Sequence, residues 1–310
     1  MKKVIVWGSY AEYDSYYKWF EVERLKGNME IEAIVLNDEN LFSMIDGISV
    51  IKIEEVLERK YDYLIDMNQQ ARNSVERILE LLKIPSDKVI PAEVFRQPFF
   101  DFERYIKVKE GNVSIIANNC WGGFTYHSLQ LKMMSPFINL VVMPDDYLKM
   151  LSNLRYYMEQ EPCFVKEEYE PTLQRNYPVI RFGDVDVYFL HYIDFDDAVE
   201  NWNRRKKRLN YDNLFVEMII DTYEQIERFV QLPYQHKVGF TTVPCDEECV
   251  IYFPVVENGY VDKKYNGNAW NFFNSMANIY GGEGKQYDIL KLLNHEKDFM
   301  RVSMIRPYNL

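Results

Sequence analysis

Lys3-Val4-Ile5-Val6-Trp7-Gly8-Ser9 begins the first element of the chain, and the segments that follow it decide the fold. A short apolar run stopped by Gly-Ser reads as a buried strand. Glu12–Lys26 places apolar and aromatic residues at helical spacing, and Gly27-Asn28 closes that helix as a C-cap. Glu30–Leu36 is a second strand, ending in Asn37-Asp38. A single helix between two strands requires parallel pairing with a right-handed crossover, because antiparallel neighbours are joined by short hairpins instead. The alternation continues with a strand at Val50–Ile53, a short helix at Ile53–Arg59 and a strand at Tyr63–Asp66. An amphipathic helix at Ser74–Leu82 and a short strand at Lys88–Ile90 complete it. Residues 1–96 therefore form a small α/β domain around a doubly wound parallel sheet, and residues 97–111, charged and aromatic, form a connector helix.

A larger α/β domain with a mixed sheet occupies residues 112–310. Its strands are Val113–Ala117, Phe137–Met143, Val179–Phe182, Val185–His191, Leu214–Ile220, Lys237–Thr242 and Cys249–Val256. Gly183-Asp184 marks a hairpin between the third and fourth of these. Helices are expected at Thr125–Met133, from Pro144 to about Gln160, and at Asp196–Arg208, Thr222–Val230, Trp270–Ala277 and Gln286–His295.

Composition narrows the function. The 310 residues carry 36 Lys and Arg against 48 Asp and Glu, a net charge of −12, with 47% hydrophobic residues. That is a globular chain able to bury two cores, and its acidity argues against nucleic acid as a partner. No apolar run approaches the roughly eighteen residues of a membrane span, and the first is too short for a signal peptide. Cys120, Cys163, Cys245 and Cys249 are sparse, as in a cytoplasmic protein with reduced thiols. Cys245 and Cys249 lack a second ligand pair at zinc spacing and read as ordinary thiols.

Ligands of open α/β sheets bind beyond the carboxyl ends of strands, so the strand ends supply the candidate sites. After the first strand, Gly8 and Ser9, with Asp38 after the second, can receive a small ligand. The glycines of a dinucleotide fingerprint are missing, and Glu12 and Asp14 oppose a phosphate. Asn118-Asn119-Cys120-Trp121-Gly122-Gly123 follows the strand Val113–Ala117. Its glycines can turn backbone N–H groups toward an anion, and the following helix can lower the thiol pKa of Cys120, with His127 as a base. The alternative is a buried thiol in a tight turn. Asp145 and Asp146, after Phe137–Met143, can hold a divalent metal or merely cap a helix. His191, ending another strand, can act as acid or base. Trp202-Asn203-Arg204-Arg205-Lys206-Lys207-Arg208 concentrates positive charge on one helix, either as a solvated face or as an anion clamp that can also touch an anionic membrane surface.

Several pieces together resemble a known family: Asn119-Cys120-Trp121-Gly122-Gly123, Ser135-Pro136-Phe137-Ile138-Asn139-Leu140, Tyr177-Pro178-Val179 and His191-Tyr192. Trp202 with Arg205 and Arg208, Asp212-Asn213, and Leu232-Pro233-Tyr234 with Lys237-Val238 follow in order. The stretch from about Val113 to Val256 is similar to the bacterial domain-of-unknown-function family nineteen-nineteen, which carries the label exopolysaccharide biosynthesis protein. The preceding residues resemble the Rossmann-like modules of nucleotide-sugar and surface-glycan enzymes. The resemblance carries over no catalytic residue; it implies a setting in glycan assembly.

The leading expectation is a cytoplasmic group transferase of surface-polysaccharide assembly, acting on a sugar nucleotide or glycan. In it Asp145 or Asp146 holds a metal or a sugar hydroxyl, Arg205 and Arg208 hold diphosphate, and His191 is the base. Asn119, Trp121, Gly122, Gly123, His127, Trp202 and Asn213 would surround the substrate. A second expectation is a hydrolase or acyltransferase that uses Cys120 with His127 or His191. A third is a non-catalytic glycan binder in which Trp121 and Trp202 stack on sugars.

Overall fold

The computed structural model describes residues 1–37, 42–68, 72–171, 173–252 and 287–298. Asp38 and the helix expected at Trp270–Ala277 lie outside them. The chain is an α/β protein that divides into two compact units, Met1–Val108 with Ser128–Gln130, and Lys109–His127 with Leu131–Leu310.

The first unit is built on a six-stranded sheet. Its strands are β1 (Lys2–Gly8), β2 (Met29–Leu36), β3 (Met44–Ile45), β4 (Ile48–Ile51), β5 (Tyr63–Asp66) and β6 (Val89–Pro91). Their order is β3-β4-β2-β1-β5-β6, and every pair is parallel except β3 with β4. That edge hairpin turns on Asp46-Gly47, whose φ angles of 50° and 79° suit the two-residue turn that matches strand twist. Helix α1 (Tyr10–Leu25) crosses from β1 to β2, and α2 (Arg72–Leu81) from β5 to β6. Ile5, Trp7, Ala33, Val35, Ile51, Val56, Leu64 and Ile84 form a core on the sheet. Parallel strands covered on both faces are apolar almost throughout, which is why these segments are so readable.

After α3 (Phe102–Gly111), the second unit holds two sheets where a single mixed sheet was expected. One is parallel, in the order β14-β13-β12-β7, from β7 (Ser114–Ala117), β12 (Leu214–Ile220), β13 (Lys237–Thr241) and β14 (Val250–Tyr252). The other is antiparallel, in the order β8-β11-β10-β9, from β8 (Val141–Val142), β9 (Pro162–Glu170), β10 (Arg175–Phe182) and β11 (Val185–Tyr188). Hairpin-linked strands pair with one another, so they close a sheet of their own.

Four of the differences from expectation have plain local reasons. The strand expected at Phe137–Met143 shortens to β8 because Asn139 takes a positive φ of 59° inside the apolar run. The helix expected from Pro144 to Gln160 breaks at Asn153 (φ −149°) into α5 (Pro144–Ser152) and α6 (Leu154–Glu159). Helix α4 (Trp121–Ser128) starts earlier than Thr125, so Gly122 and Gly123 are helical rather than loop residues. Strand β9 was not foreseen: its Lys166-Glu167-Glu168-Tyr169-Glu170 is largely exposed and lacks an apolar face. Helices α7 (Phe195–Lys206), α8 (Tyr223–Gln231) and α9 (Ile289–Leu293) complete the described elements of this unit. Its main core gathers Phe137, Tyr147, Phe182, Phe189, Trp202 and Phe229 with aliphatic residues of both sheets.

Candidate functional site

The carboxyl end of β7 leads through Asn118-Asn119-Cys120 into α4, and β12 runs parallel beside it with Glu217 in register with Ala117. Four polar side chains meet here in a largely apolar interior. Asn118, Asn119 and Glu217 are at most 1% exposed, and Cys120 is half-buried.

Asn119 is the hub of this cluster. Its Nδ2 lies 2.9 Å and 3.1 Å from the two carboxyl oxygens of Glu217 and 2.9 Å from Asn118 Oδ1. Its Oδ1 accepts the Trp121 N–H at 2.7 Å, satisfying one of the donors that begin a helix without an intrahelical partner. One amide side chain therefore ties the buried acid to the start of α4. Asn118 Oδ1 also accepts the Ile219 N–H at 3.1 Å, whereas Asn118 Nδ2 finds no partner among the described residues. Tyr147 Oη shares its proton between Ile116 O (2.8 Å) and Glu217 O (3.0 Å), joining the two strands from below.

Burial pushes the Glu217 carboxyl up to about 8, against the opposing hydrogen bond from Asn119. A neutral acid is the form such surroundings favour. Sequence reading missed Glu217, although its signal is plain: one acid inside Leu214-Phe215-Val216-Glu217-Met218-Ile219-Ile220, a run otherwise apolar on both faces.

Cys120 immediately precedes α4, and its Sγ lies 3.9 Å from His191 Nε2. His191 follows β11 through Phe189 and Leu190, so two strand ends from different sheets bring thiol and imidazole together. Burial, and secondarily the Glu217 carboxylate, push the thiol up to about 11. The expected lowering by the helix start is therefore outweighed. Burial and the neighbouring Arg175 guanidinium lower the His191 pKa, with Glu170 opposing. The pair rests as neutral thiol and neutral imidazole, the state in which His191 can accept a proton.

Other candidates occupy different places. Gly122 lets α4 approach β7 closely, since a Cβ there would meet Ile115 Cγ2 at 3.2 Å and Ala117 Cβ at 3.5 Å. Their role is packing rather than positive φ, and Gly123 is likewise close to Asn139 Oδ1. Trp121 is buried, donates to Tyr287 Oη at 2.7 Å and stacks on Phe215. Trp202 is buried against Phe182 and Phe137. Neither indole offers a face to a sugar. His127 is in the last turn of α4, about 10 Å along the helix axis from Cys120, and gives way to His191 as the thiol's neighbour.

Asp145 pairs with Arg228 at 2.7 Å, and Asp146 accepts the Asp186 N–H at 3.4 Å. Both line an open cleft of about 600 Å³ whose walls include none of Cys120, His191 or Arg205. Arg205 donates to Tyr192 Oη, whose own proton goes to Ile138 O at 2.7 Å, so it braces the core. Arg208 lies in the turn after α7 and donates its backbone N–H to Arg205 O. The cationic run ends α7, where positive charge favours the helix dipole. Asn213 donates to Gly111 O at 2.9 Å, ahead of β12 and at the opposite end of the sheet from Cys120. Among the described residues no three His, Cys, Asp or Glu side chains converge as metal ligands.

In the first unit, Ser9 caps α1. The Glu12 carboxylate accepts from Ser9 N–H at 2.7 Å and Ser9 Oγ at 2.9 Å, a capping box. A Cβ on Gly8 would meet Glu12 Oε2 at 2.9 Å. Glu12 thus occupies the position from which a bound phosphate would draw the helix start.

The fold and this cluster define an α/β protein with a thiol and an imidazole joined across two strand ends. The family described as "Domain of unknown function (DUF1919)" matches residues 92–281, and that described as "C2185-like, N-terminal" matches residues 1–90. An uncharacterized protein of Haemophilus influenzae (strain ATCC 51907 / DSM 11121 / KW20 / Rd) is 33% identical over 221 residues, 68% of this chain and 98% of that protein. The chain belongs to the family of unknown function DUF1919. No described helix is long and apolar enough to cross a membrane.

Proposed function

We propose that this chain is a thiol-dependent acyl-transfer enzyme, a hydrolase or acyltransferase, with Cys120 as nucleophile and His191 as its base. The observation that carries the reading is the 3.9 Å separation of Cys120 Sγ from His191 Nε2 at the start of a helix. Nucleophile and base need to be within reach of each other, and such pairs are often looser before substrate binds. In the reaction Sγ attacks the carbonyl carbon while its proton passes to Nε2. The carbonyl electron pair moves to oxygen, and the first-turn N–H groups of α4 beyond Trp121 are placed to receive that negative charge. Collapse expels the leaving group with the proton from His191 and leaves a thioester, which water or an acceptor hydroxyl resolves.

Glu217 and Asn119 hold the start of α4 in place for this chemistry. Of a role in surface-polysaccharide assembly, family resemblance is the sole support; the acceptor in that setting is a sugar hydroxyl. A separate likeness of the first hundred residues to Rossmann-like modules, together with their largely parallel sheet, supports a Rossmann-like first unit, and the sparse cysteines support a cytoplasmic location. The metal-held diphosphate reading has no comparable support, because Asp145, Asp146 and Arg205 are engaged elsewhere.

The test is acylation by a panel of activated esters, followed by intact-mass and peptide mapping. Cys120 acquires the acyl group, Cys120→Ala does not, and His191→Ala acylates about a hundredfold more slowly. Equal acylation of the Cys120→Ala chain would remove the proposal.

A further inference from the structure

A second site lies in the first unit, away from the strand ends that Glu12 has already filled. At the amino ends of β1, β5 and β6, a cleft of about 480 Å³ is lined by Lys3, Arg59, Lys60, Lys83 and Lys88, with Tyr61 in its wall. Asp62 is its one carboxylate, and that group is held by the Lys3 N–H at 2.7 Å. Lys3 is also paired with Glu32 at 2.8 Å. Arg59, Lys60, Lys83 and Lys88 make no ion pair among the described residues. The Lys88 ammonium lies 5.6 Å over the Tyr61 ring.

Elsewhere in the unit Arg24 pairs with Glu21, Lys26 with Glu23, Arg104 with Asp101 and Lys107 with Glu103, whereas here four cations without such a partner line one cleft. In a protein of net charge −12, gathering like charges from separate loops around one concavity raises the local potential instead of lowering it. An anion entering the cleft relieves that repulsion. A single carboxylate would answer one of four free cations, whereas a di- or triphosphate answers several through charge-assisted hydrogen bonds. The volume is that of a small-molecule site, and Leu57, Ile84 and Pro85 give it an apolar wall.

We propose that this cleft binds a phosphate-bearing small molecule, the phosphates lying among Arg59, Lys60, Lys83 and Lys88. The site is independent of Cys120 and His191.

The experiment is calorimetric titration and thermal unfolding of the full chain at low ionic strength with inorganic pyrophosphate, ATP and a hexose 1-phosphate. Sulfate at equal ionic strength is the control. Pyrophosphate binds and raises the unfolding midpoint, where sulfate does so much less. ATP binding more tightly than pyrophosphate assigns a nucleotide, and preference for the hexose phosphate assigns a sugar phosphate. The Lys60→Ala/Lys88→Ala double variant, confirmed as folded by circular dichroism, binds about tenfold more weakly. The proposal is overturned if none of the three phosphates binds more tightly than sulfate, or if the double variant binds as the parent does. It is also overturned if an anionic vesicle or an oligonucleotide binds through these lysines while all three small phosphates fail.

Discussion

Replacing Glu217 with Gln separates the cost of a buried acid from the rest of the second unit's energetics. Burial raises this carboxyl from an ordinary 4.5 to about 8. Between those values the folded chain keeps a proton that the unfolded chain has released, so stability falls as pH rises through that window and levels off above it. At about 1.4 kcal/mol per pH unit, the whole loss is roughly 5 kcal/mol, a large part of the total stability of an ordinary domain. Glutamine keeps the shape and one acceptor for Asn119 but does not titrate. Near pH 5 the variant is about 1 kcal/mol less stable, because one hydrogen-bonding group is mismatched. Near pH 9 it is several kcal/mol more stable, and the two curves cross between. His191, His236 and His295 have lowered folded values and act in the opposite direction, raising stability as pH rises, but they are common to both chains and cancel in the difference. The assay is urea unfolding from about pH 5 to pH 9, followed by fluorescence of Trp121 and Trp202, which are buried in the same unit. Isotope-edited infrared spectroscopy of the carboxyl group supplies an independent titration. Parallel stability curves, or a carboxyl band that titrates at the ordinary glutamate value, would refute the reasoning.

Two further substitutions test the packing that frames the site. Gly239→Ala places a Cβ 2.6 Å from Ile220 Cδ1 and 3.3 Å from Val250 Cγ2, so the buried Ile220 side chain must repack at a cost of about 1–3 kcal/mol. A lowered thermal midpoint, partly restored by adding Ile220→Val, is the expected result; an unchanged midpoint contradicts it. Arg205→Ala removes the guanidinium from Tyr192 Oη and lowers stability by about 1 kcal/mol. Acylation of Cys120 should stay within about twofold of the parent, since Arg205 braces the core, and a large fall would return it to the binding machinery.

What was readable in the sequence follows what each segment buries. Tyr63–Asp66 and Leu214–Ile220 match their strands end to end because parallel strands covered on both faces leave a nearly continuous apolar run, broken within the second by Glu217 alone. Strand β9 leaves no such trace: one edge of an antiparallel sheet, its residues are mostly exposed and its sequence is charged. The start of α4 was misplaced for a different reason. Gly122-Gly123 reads as a loop signal, yet the pair serves the close approach of helix to strand, and only the side chain of Asn119 reveals where the helix begins. At the site, strand-end logic singled out Cys120 and His191 separately. Their pairing depends on how two sheets meet, which the order of residues does not encode locally. Aromatic and cationic residues misled most: Trp121, Trp202 and Arg205 have the chemistry of sugar and phosphate binding, but they fill or brace the interior.

The polar cluster beneath Cys120 is expensive, and that expense bears on function. A leucine at 217 would continue the apolar run of β12 and abolish the desolvation of a carboxyl group. Aliphatic residues at 118 and 119 would avoid the unpartnered Asn118 Nδ2. Packing alone thus favours an all-apolar crossing of β7 and β12, the kind found at Ile116 and Val216 one residue earlier. The chain instead places an amide hub where it fixes one thing that packing does not require, the first turn of α4 and with it the residue just before that turn. A thiol raised by burial and placed beside a neutral imidazole gains nothing for stability from such precision. In the proposed acyl-transfer reaction it would gain orientation, which a nucleophile needs when its proton must leave along a single path to His191.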